Sequence, residues 1–230
     1  MKIVLIHGQT HKGTTYHMGR TLAEKLTDNK NITEFFLPRD LNHFCVGCYS
    51  CIEDETRCPW WEEKSAILNA LRDADLFIFT SPNYCMAPSA AMKTFLDLMF
   101  DYWMVHKPKE FMFKKRAVVL SASAGASCAD VVKTVKKSLL YWGVPYVKSY
   151  ALPVHAMNWE VMEDKTKQKI IKKLNGIAKK IDCKKPPRIG IKTRFLFFIM
   201  GMLHKKGWDS SPTEKEYWEE RGWLKNKKPW

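Results

Sequence analysis

Acidic residues are scarce in this chain of 230 residues: 24 Asp and Glu stand against 38 Lys and Arg, for a formal net charge of +14. No internal repeat or low-complexity segment is present, which excludes a repeat architecture. No apolar run approaches the roughly 20 residues that span a bilayer. The first residues lack a signal-peptide pattern, so we expect a cytoplasmic protein without a membrane span.

The basic excess is not accompanied by any nucleic-acid-binding motif. The lysines are spread over predicted helices and the tail, which indicates solvated helix faces and no nucleic-acid partner. The same charge suits a phosphorylated cofactor or an acidic electron carrier. Examples are Lys133, Lys136, Lys137, Lys165, Lys167, Lys169, Lys172 and Lys173.

Apolar periodicity predicts an α/β fold. Five short strands, at 2–6, 32–37, 75–80, 116–121 and 145–150, alternate with helices at 14–28, 62–72, 87–100, 130–142 and 161–181. This alternation predicts a flavodoxin-like, doubly wound parallel sheet of order 2-1-3-4-5, with its ligand at the carboxyl ends of the strands. We expect this domain to cover residues 1–183. Residues 184–230 form a C-terminal extension rich in aromatic and basic residues.

Two common phosphate-binding motifs, G-x-G-x-x-G and G-x4-G-K-[ST], are absent. The loop after the first strand nevertheless reads Gly8-Gln-Thr-His-Lys-Gly-Thr-Thr15. Its small and hydroxyl residues, followed by a helix N-terminus, favour an anion site. Thr10, Thr14 and Thr15 are candidate donors to a phosphate, although an ordinary strand–helix turn capped by threonine has the same pattern.

Two further loops, at residues 81–86 and 121–126, follow the third and fourth predicted strands. The carboxyl ends of parallel strands meet at one edge of the sheet, so we expect all three loops to border one crevice. Their small, polar and aromatic residues suit a flat heteroaromatic ligand with a phosphate tail.

Four of the seven cysteines lie within fourteen residues, with the spacing C-x2-C-x2-C-x6-C. Cys45, Cys48, Cys51 and Cys58 match the four thiolate ligands of a [4Fe–4S] cluster, and the Cys58-Pro59 ending is typical of bacterial ferredoxins. Four thiolates also suit a zinc ion, and a loop without any metal is the third alternative. Cysteines clustered in a cytosolic protein favour metal or redox chemistry over disulfides.

The first loop and the segment S-P-N-Y-C-M-A-P-S-A-A-M-K-T-F-L-D resemble the flavodoxin-like NAD(P)H-dependent FMN reductase family over about residues 1–183. The compact cysteine motif between them is similar to the iron–sulfur flavoprotein branch. The resemblance implies FMN as cofactor, NAD(P)H as transient co-substrate and a candidate [4Fe–4S] cluster on the four cysteines. The implied FMN contacts are Gln9, Thr10, Thr14 and Thr15 at the phosphate, Pro82, Asn83, Tyr84, Cys85 and Met86 along the ring, and Ser123 and Gly125 at its other edge.

The leading hypothesis is therefore an FMN-dependent NAD(P)H oxidoreductase that passes electrons to an acceptor, through the cluster if one is bound. Because the flavin carries the hydride chemistry, no catalytic acid or base is assigned. The alternatives are an electron carrier or redox sensor without its own substrate, and a zinc-stabilised interaction module. Family resemblance also implies a homodimer or higher homo-oligomer. For the extension, we expect that it folds back on its own domain or covers a neighbouring subunit; the third alternative is that residues 195–203 lie on a membrane surface.

Overall fold

The computed structural model describes all 230 residues and contains a twisted sheet flanked by helices. Its strands are β1 (Ile3–His7), β2 (Ile32–Phe36), β3 (Leu76–Tyr84), β4 (Ala87–Pro88), β5 (Arg116–Ser123) and β6 (Tyr146–Pro153). Its α-helices are α1 (Thr14–Glu24), α2 (Ser50–Glu53), α3 (Trp61–Asp73), α4 (Ala90–Leu98), α5 (Ala129–Tyr141), α6 (Asp164–Ala178), α7 (Ile191–Lys205) and α8 (Pro212–Glu220).

Five strands pair in parallel in the order β2-β1-β3-β5-β6, and the two-residue β4 pairs antiparallel with the end of β3. Counting only the parallel strands, this is the predicted order 2-1-3-4-5, which is confirmed. The central strands β1 and β5 are buried along their whole length, as expected for a sheet covered on both faces. By contrast, every residue of β6 is partly or fully exposed.

Two apolar clusters hold the helices to the two faces of the sheet. On one face, α3, α4 and α5 bury residues such as Leu68, Phe95 and Leu139. On the other, α1 and α6 bury residues such as Leu22 and Leu174. These helices show the apolar spacing that the sequence predicts, and burying those stripes against the sheet fixes the layers.

The extension beyond residue 183 folds back on the same chain, as predicted. A third apolar cluster joins Phe197 of α7 and Trp218 of α8 to Met104 and Phe113, which lie in the irregular segment between α4 and β5. Tyr217 Oη donates to the carbonyl of Pro108 (2.7 Å). None of the helices combines the length and apolar character needed to cross a bilayer.

Candidate functional site

The loop that follows β1 lies unusually close to the start of α4. The N–H of Gly8 donates to the carbonyl of Thr80 (2.7 Å), and the Ser89 hydroxyl donates to the carbonyl of Gly8 (2.5 Å). A Cβ at position 8 would stand 2.7 Å from the Ser89 oxygen, within a fully buried site. Glycine is therefore required for this close approach.

The first turn of α1 has no side-chain cap. Its N-cap residue, Gly13, offers no capping side chain, and the turn contains no acidic residue. The free N–H groups and the positive end of the helix dipole therefore remain available to an anion. Of the predicted donors, Thr10 is exposed, Thr14 is half-buried and Thr15 is buried.

Gln9 ties this first loop to the loop after β3. Its Oε1 accepts the N–H of Thr10 (2.8 Å), and its Nε2 donates to Tyr84 Oη (3.3 Å). Residues 75 positions apart are thus in contact across the carboxyl edge of the sheet, as the topology predicts.

The β3–β4 hairpin carries the residues predicted to line a flavin ring. Tyr84, Cys85 and Met86 at its tip are exposed, and Pro82 lower on the strand is half-buried. Cys85 and Met86 have positive φ values of 50° and 65°, so the tip makes a tight left-handed turn. The hairpin thus exposes an aromatic ring and a thioether beside the first loop, which Tyr84 contacts through Gln9.

Asn83 connects the hairpin to the loop after β5. Its Nδ2 donates to the carbonyl of Ser127 (2.8 Å), whereas its Oδ1 is buried without a hydrogen-bond partner. Ser123, at the end of β5, is buried and donates to the carbonyl of Ala126. Gly125 is exposed, with open space where a Cβ would be. An orphaned amide oxygen of this kind points to a bound donor.

Taken together, the three predicted loops are in contact and form one rim, with the uncapped N-terminus of α1 at one end and the hairpin tip at the other. This arrangement fits a flat heteroaromatic that carries a phosphate, and FMN is such a molecule. The residues in this rim that sequence reasoning missed are Ser89 and Ser127. Ser89 could have been identified as the N-cap of α4, because its hydroxyl accepts the N–H of Met92; nothing in the sequence marks Ser127.

The cysteine segment forms a tight loop between β2 and α3. Gly47 and Tyr49 adopt positive φ values of 65° and 59°, which curl the chain, and Cys51 lies on the short helix α2. All four cysteines are free thiols and line a single cavity of about 90 Å³. The other residues around it are Val46, Gly47, Tyr49, Pro59, Trp60, Asp97, Leu98 and Phe100.

The four thiols differ in their surroundings. Burial raises the pKa of Cys51 to about 11, and the nearby Asp101 carboxylate adds to this rise. Hydrogen bonds from the Ser50 hydroxyl and backbone lower the pKa of Cys48. Cys51 is therefore a protonated thiol at neutral pH, and a cation in the cavity would be needed to hold it as a thiolate.

The cysteines surround a shared space and do not converge on one point. No group of three or more His, Cys, Asp or Glu side chains is arranged to hold a single metal ion. Zinc would require sulfurs about 2.3 Å from one centre, so a zinc ion would need the four thiols to move closer together. The four-thiol donor set and its largely apolar cavity do fit an iron–sulfur cluster, whose irons are each held by a separate cysteine.

Residues distant in sequence hold the cysteine loop in place. The Thr213 hydroxyl of α8 donates to the carbonyl of Ile52 (3.1 Å), and Lys107 Nζ donates to the carbonyl of Glu53 (3.0 Å). Below the loop, Lys64 and Asp101 form a fully buried salt bridge. The sequence offers no signal for these contacts, because each joins residues at least 37 positions apart.

Helix α4 links the two sites. Its N-cap Ser89 contacts the first loop, and Leu98 at its other end lines the cysteine cavity. A helix of nine residues is roughly 14 Å long, so this is the approximate spacing of the crevice and the cavity along the helix.

Comparison with known proteins identifies related chains. The model of the family described as NADPH-dependent FMN reductase matches residues 1–158. An iron–sulfur flavoprotein of Archaeoglobus fulgidus is 25% identical over 140 residues, which cover 60% of this chain and 59% of that protein. A second iron–sulfur flavoprotein, from Methanocaldococcus jannaschii, is 31% identical over 100 residues, covering 42% of this chain and 51% of its own length. The chain thus matches little more than half the length of these relatives.

Solved structures share the fold at low sequence identity. An FMN-dependent NADH-azoreductase from Bacillus anthracis, solved with FMN, superimposes with a TM-score of 0.59 at 14% identity, over 78% of this chain and 98% of that one. An NADH:FMN oxidoreductase in its apo form gives a TM-score of 0.53 at 16% identity, over 79% and 90% of the two chains. At these identities the likeness establishes the flavodoxin-like fold.

Proposed function

The chain belongs to the NADPH-dependent FMN reductase family, and we propose that it is an FMN-dependent NAD(P)H oxidoreductase whose cysteine loop binds a [4Fe–4S] cluster. The observation that carries the proposal is the pairing of two sites at the ends of α4. Three loops in mutual contact and an uncapped helix N-terminus lie at one end, and a cavity lined by four free cysteines lies at the other. The names of the two iron–sulfur flavoprotein relatives give it further support.

In this proposal, the first loop binds the FMN phosphate. The N–H groups at the start of α1 and the hydroxyls of Thr10, Thr14 and Thr15 would donate to its oxygens. Gln9 would orient the loop through its bonds to Thr10 and Tyr84.

The remaining rim residues would enclose the flavin ring. Pro82, Tyr84, Cys85 and Met86 would cover one side, and Ser123 and Gly125 would approach the other edge. The orphaned Oδ1 of Asn83 would accept a hydrogen bond from a ring N–H. When bound, FMN accepts hydride from the nicotinamide; the residues orient it and exclude water.

Cys45, Cys48, Cys51 and Cys58 would each hold one iron of the cluster. The cluster would supply one-electron transfer, which links a two-electron donor to one-electron acceptors. Bound iron would hold Cys51 as a thiolate, in a cavity where burial raises the pKa of the free thiol to about 11. The acceptor beyond the cluster is an electron carrier or a small molecule.

Two further expectations belong to this proposal. Free cysteines throughout the chain suit a reducing compartment, so we place the protein in the cytoplasm. We also propose that it works as a homodimer.

The test is anaerobic purification, followed by an absorption spectrum and by analysis of FMN, iron, sulfide and zinc in one sample. The proposal predicts one FMN with about four iron and four sulfide per chain, and oxidation of NADH or NADPH by the loaded protein. Bound FMN without iron would rule out the cluster and leave the assignment as a reductase. Stoichiometric zinc without FMN would instead establish a zinc-stabilised module. Loaded protein that accepts electrons only from a carrier, and not from NAD(P)H, would make it an electron carrier.

A further inference from the structure

The edge strand β6 is long and uncovered. All eight of its residues are partly or fully exposed, although its neighbour β5 is buried throughout. A strand with one open side presents unpaired N–H and C=O groups to any chain that can pair with it.

The direction of these free groups follows from the pairing with β5. Val154 donates its N–H to the carbonyl of Ser123 (2.9 Å), so even-numbered residues point their backbone groups towards β5. The odd-numbered residues Val147, Ser149 and Ala151 therefore point theirs to the open side. Pro153 is odd-numbered, and proline is tolerated in a strand where its nitrogen faces away from the sheet.

One side of this edge is an apolar groove of about 1250 Å³ between β6, α5 and the start of α7. Its apolar lining includes Val132, Leu140, Val147 and Ile191. Lys133, Lys136, Lys137 and Lys192 line its rim. No acidic residue borders it.

The other side is a cleft of about 620 Å³ between β6 and α6. Lys148, Lys169, Lys172, Lys173 and Lys180 line it, again without an acidic residue. The hydroxyl of Tyr150 is buried there without a partner. A Cβ at Gly176, in the last turn of α6, would meet nothing within 4 Å, so packing does not account for this glycine.

None of these nine lysines takes part in any salt bridge of the chain. A second copy of a chain with a net charge of +14 would bring like charges together along this edge. The charge therefore opposes self-pairing and favours an acidic partner.

We propose that β6 is a docking edge for an extended, acidic segment of a partner protein, which adds a strand to the sheet. Side chains of a strand alternate between its two faces, so the partner's residues would alternate between the apolar groove and the lysine cleft. The recognised sequence is accordingly about eight residues long, with apolar and acidic residues in alternation. The proposal does not depend on FMN or on the cluster.

The test uses a fluorescein-labelled octapeptide of alternating Val and Glu, with binding followed by fluorescence anisotropy at several salt concentrations. A control peptide has the same composition arranged as four Val followed by four Glu. We expect the alternating peptide to bind at least tenfold more tightly than the block peptide, with an affinity that falls as salt rises.

Matched protein variants distinguish the contribution of strand pairing to peptide binding from that of charge. Ser149→Pro removes one outward N–H and should weaken binding of the alternating peptide about tenfold, whereas Ser149→Thr should leave it unchanged. Lys172→Glu combined with Lys173→Glu should weaken it about tenfold and improve binding of an alternating Val–Lys peptide. Thermal unfolding of each variant checks that the fold is retained.

Three results would overturn the proposal. Equal binding of the alternating and block peptides would indicate general electrostatic attraction without strand pairing. Unchanged binding by Ser149→Pro would place the peptide elsewhere. A dimer in sedimentation experiments that becomes a monomer on Ser149→Pro substitution would assign the edge to a second copy of the chain.

Discussion

Nζ of Lys64 lies 2.7 Å from Oδ1 of Asp101, and each side chain is only 1% exposed. The second oxygen of Asp101 has no hydrogen-bond partner. The pair sits below Cys51, whose pKa responds to both charges. A buried ion pair offsets much of its own desolvation cost, but a single buried charge does not.

We therefore expect Lys64→Met or Asp101→Asn alone to lower the free energy of unfolding by about 3–5 kcal/mol. The double variant Lys64→Met/Asp101→Asn should cost less than the sum of the two single changes, since no unpaired charge remains. Urea unfolding at pH 7 measures all three. If the two single effects simply add in the double variant, the charges do not interact in the way described.

Iron binding should depend on four cysteines and no others. Changing Cys45, Cys48, Cys51 or Cys58 to Ser should abolish most iron and sulfide while FMN remains bound, because the crevice and the cavity lie at opposite ends of α4. Cys183→Ser is the control, since that thiol lies outside the cavity. Metal analysis of anaerobically purified variants measures the effect, and full iron content in any of the four variants would contradict the ligand assignment.

The first loop should recognise the phosphate of FMN. Gln9→Glu places a negative charge beside the open N-terminus of α1, so FMN affinity should fall about tenfold. The affinity for riboflavin, which has no phosphate, should fall by less than about threefold. Flavin fluorescence titration measures both. Gln168→Glu, an equal charge change at an exposed site on α6, is the control; equal losses for the two flavins would place the phosphate elsewhere.

Protonation of Glu214 should lower the stability of the fold in acid. Burial raises the pKa of this carboxyl, but the hydrogen bond from His106 (2.5 Å), the charge of that ring and the N–H groups of Ser210 and Ser211 outweigh it and leave the pKa lowered. The stabilisation is therefore complete above the unfolded pKa of about 4.3 and is lost as the pH falls through the lower folded value.

Glu214→Gln should cost about 2 kcal/mol at pH 7 and flatten the decline in stability between about pH 5 and pH 3. The urea concentration at the midpoint of unfolding, determined across this pH range, measures the change. Glu219→Gln, on the exposed side of the same helix, is the matched control. A Glu214→Gln curve parallel to that of the unmodified chain would contradict the assignment.

The extension should contribute to the stability of the whole domain. Trp218 is fully buried and donates its Nε1–H to the carbonyl of His106 (2.8 Å), so Trp218→Ala should cost about 3–5 kcal/mol. Trp208 is 69% exposed, and Trp208→Ala should change stability by less than about 0.5 kcal/mol. A single cooperative unfolding transition, shifted only in the Trp218 variant, is the expected result.

Much of the sheet could be predicted from local pattern, because buried parallel strands are short apolar runs. The predicted strand 75–80 is observed as Leu76–Tyr84, since its end pairs with Ala87 and Pro88. For the same reason the helix predicted from residue 87 begins only at Ala90, after the Ser89 cap. The pairing of β3 with β4 determines both boundaries, and the apolar periodicity of the sequence does not reveal that pairing.

The convergence of the three loops was also predictable, because parallel topology brings strand ends together. The helices of the extension were not predicted. Their inward face mixes Thr193, Phe197 and His204, so the apolar pattern is too irregular to identify. The support of the cysteine loop by Thr213 and Lys107 depends on long-range contacts that one sequence does not specify.

The bond between Thr213 and Ile52 also has a consequence for synthesis. These residues are 161 positions apart, and a ribosome adds roughly 5–20 residues per second, so α8 emerges about 8–30 s after the cysteine loop. During that interval the loop lacks its C-terminal support. The cysteine loop therefore gains its hydrogen bond to Thr213 only after the last helix has emerged, so this part of the tertiary structure is completed late in synthesis.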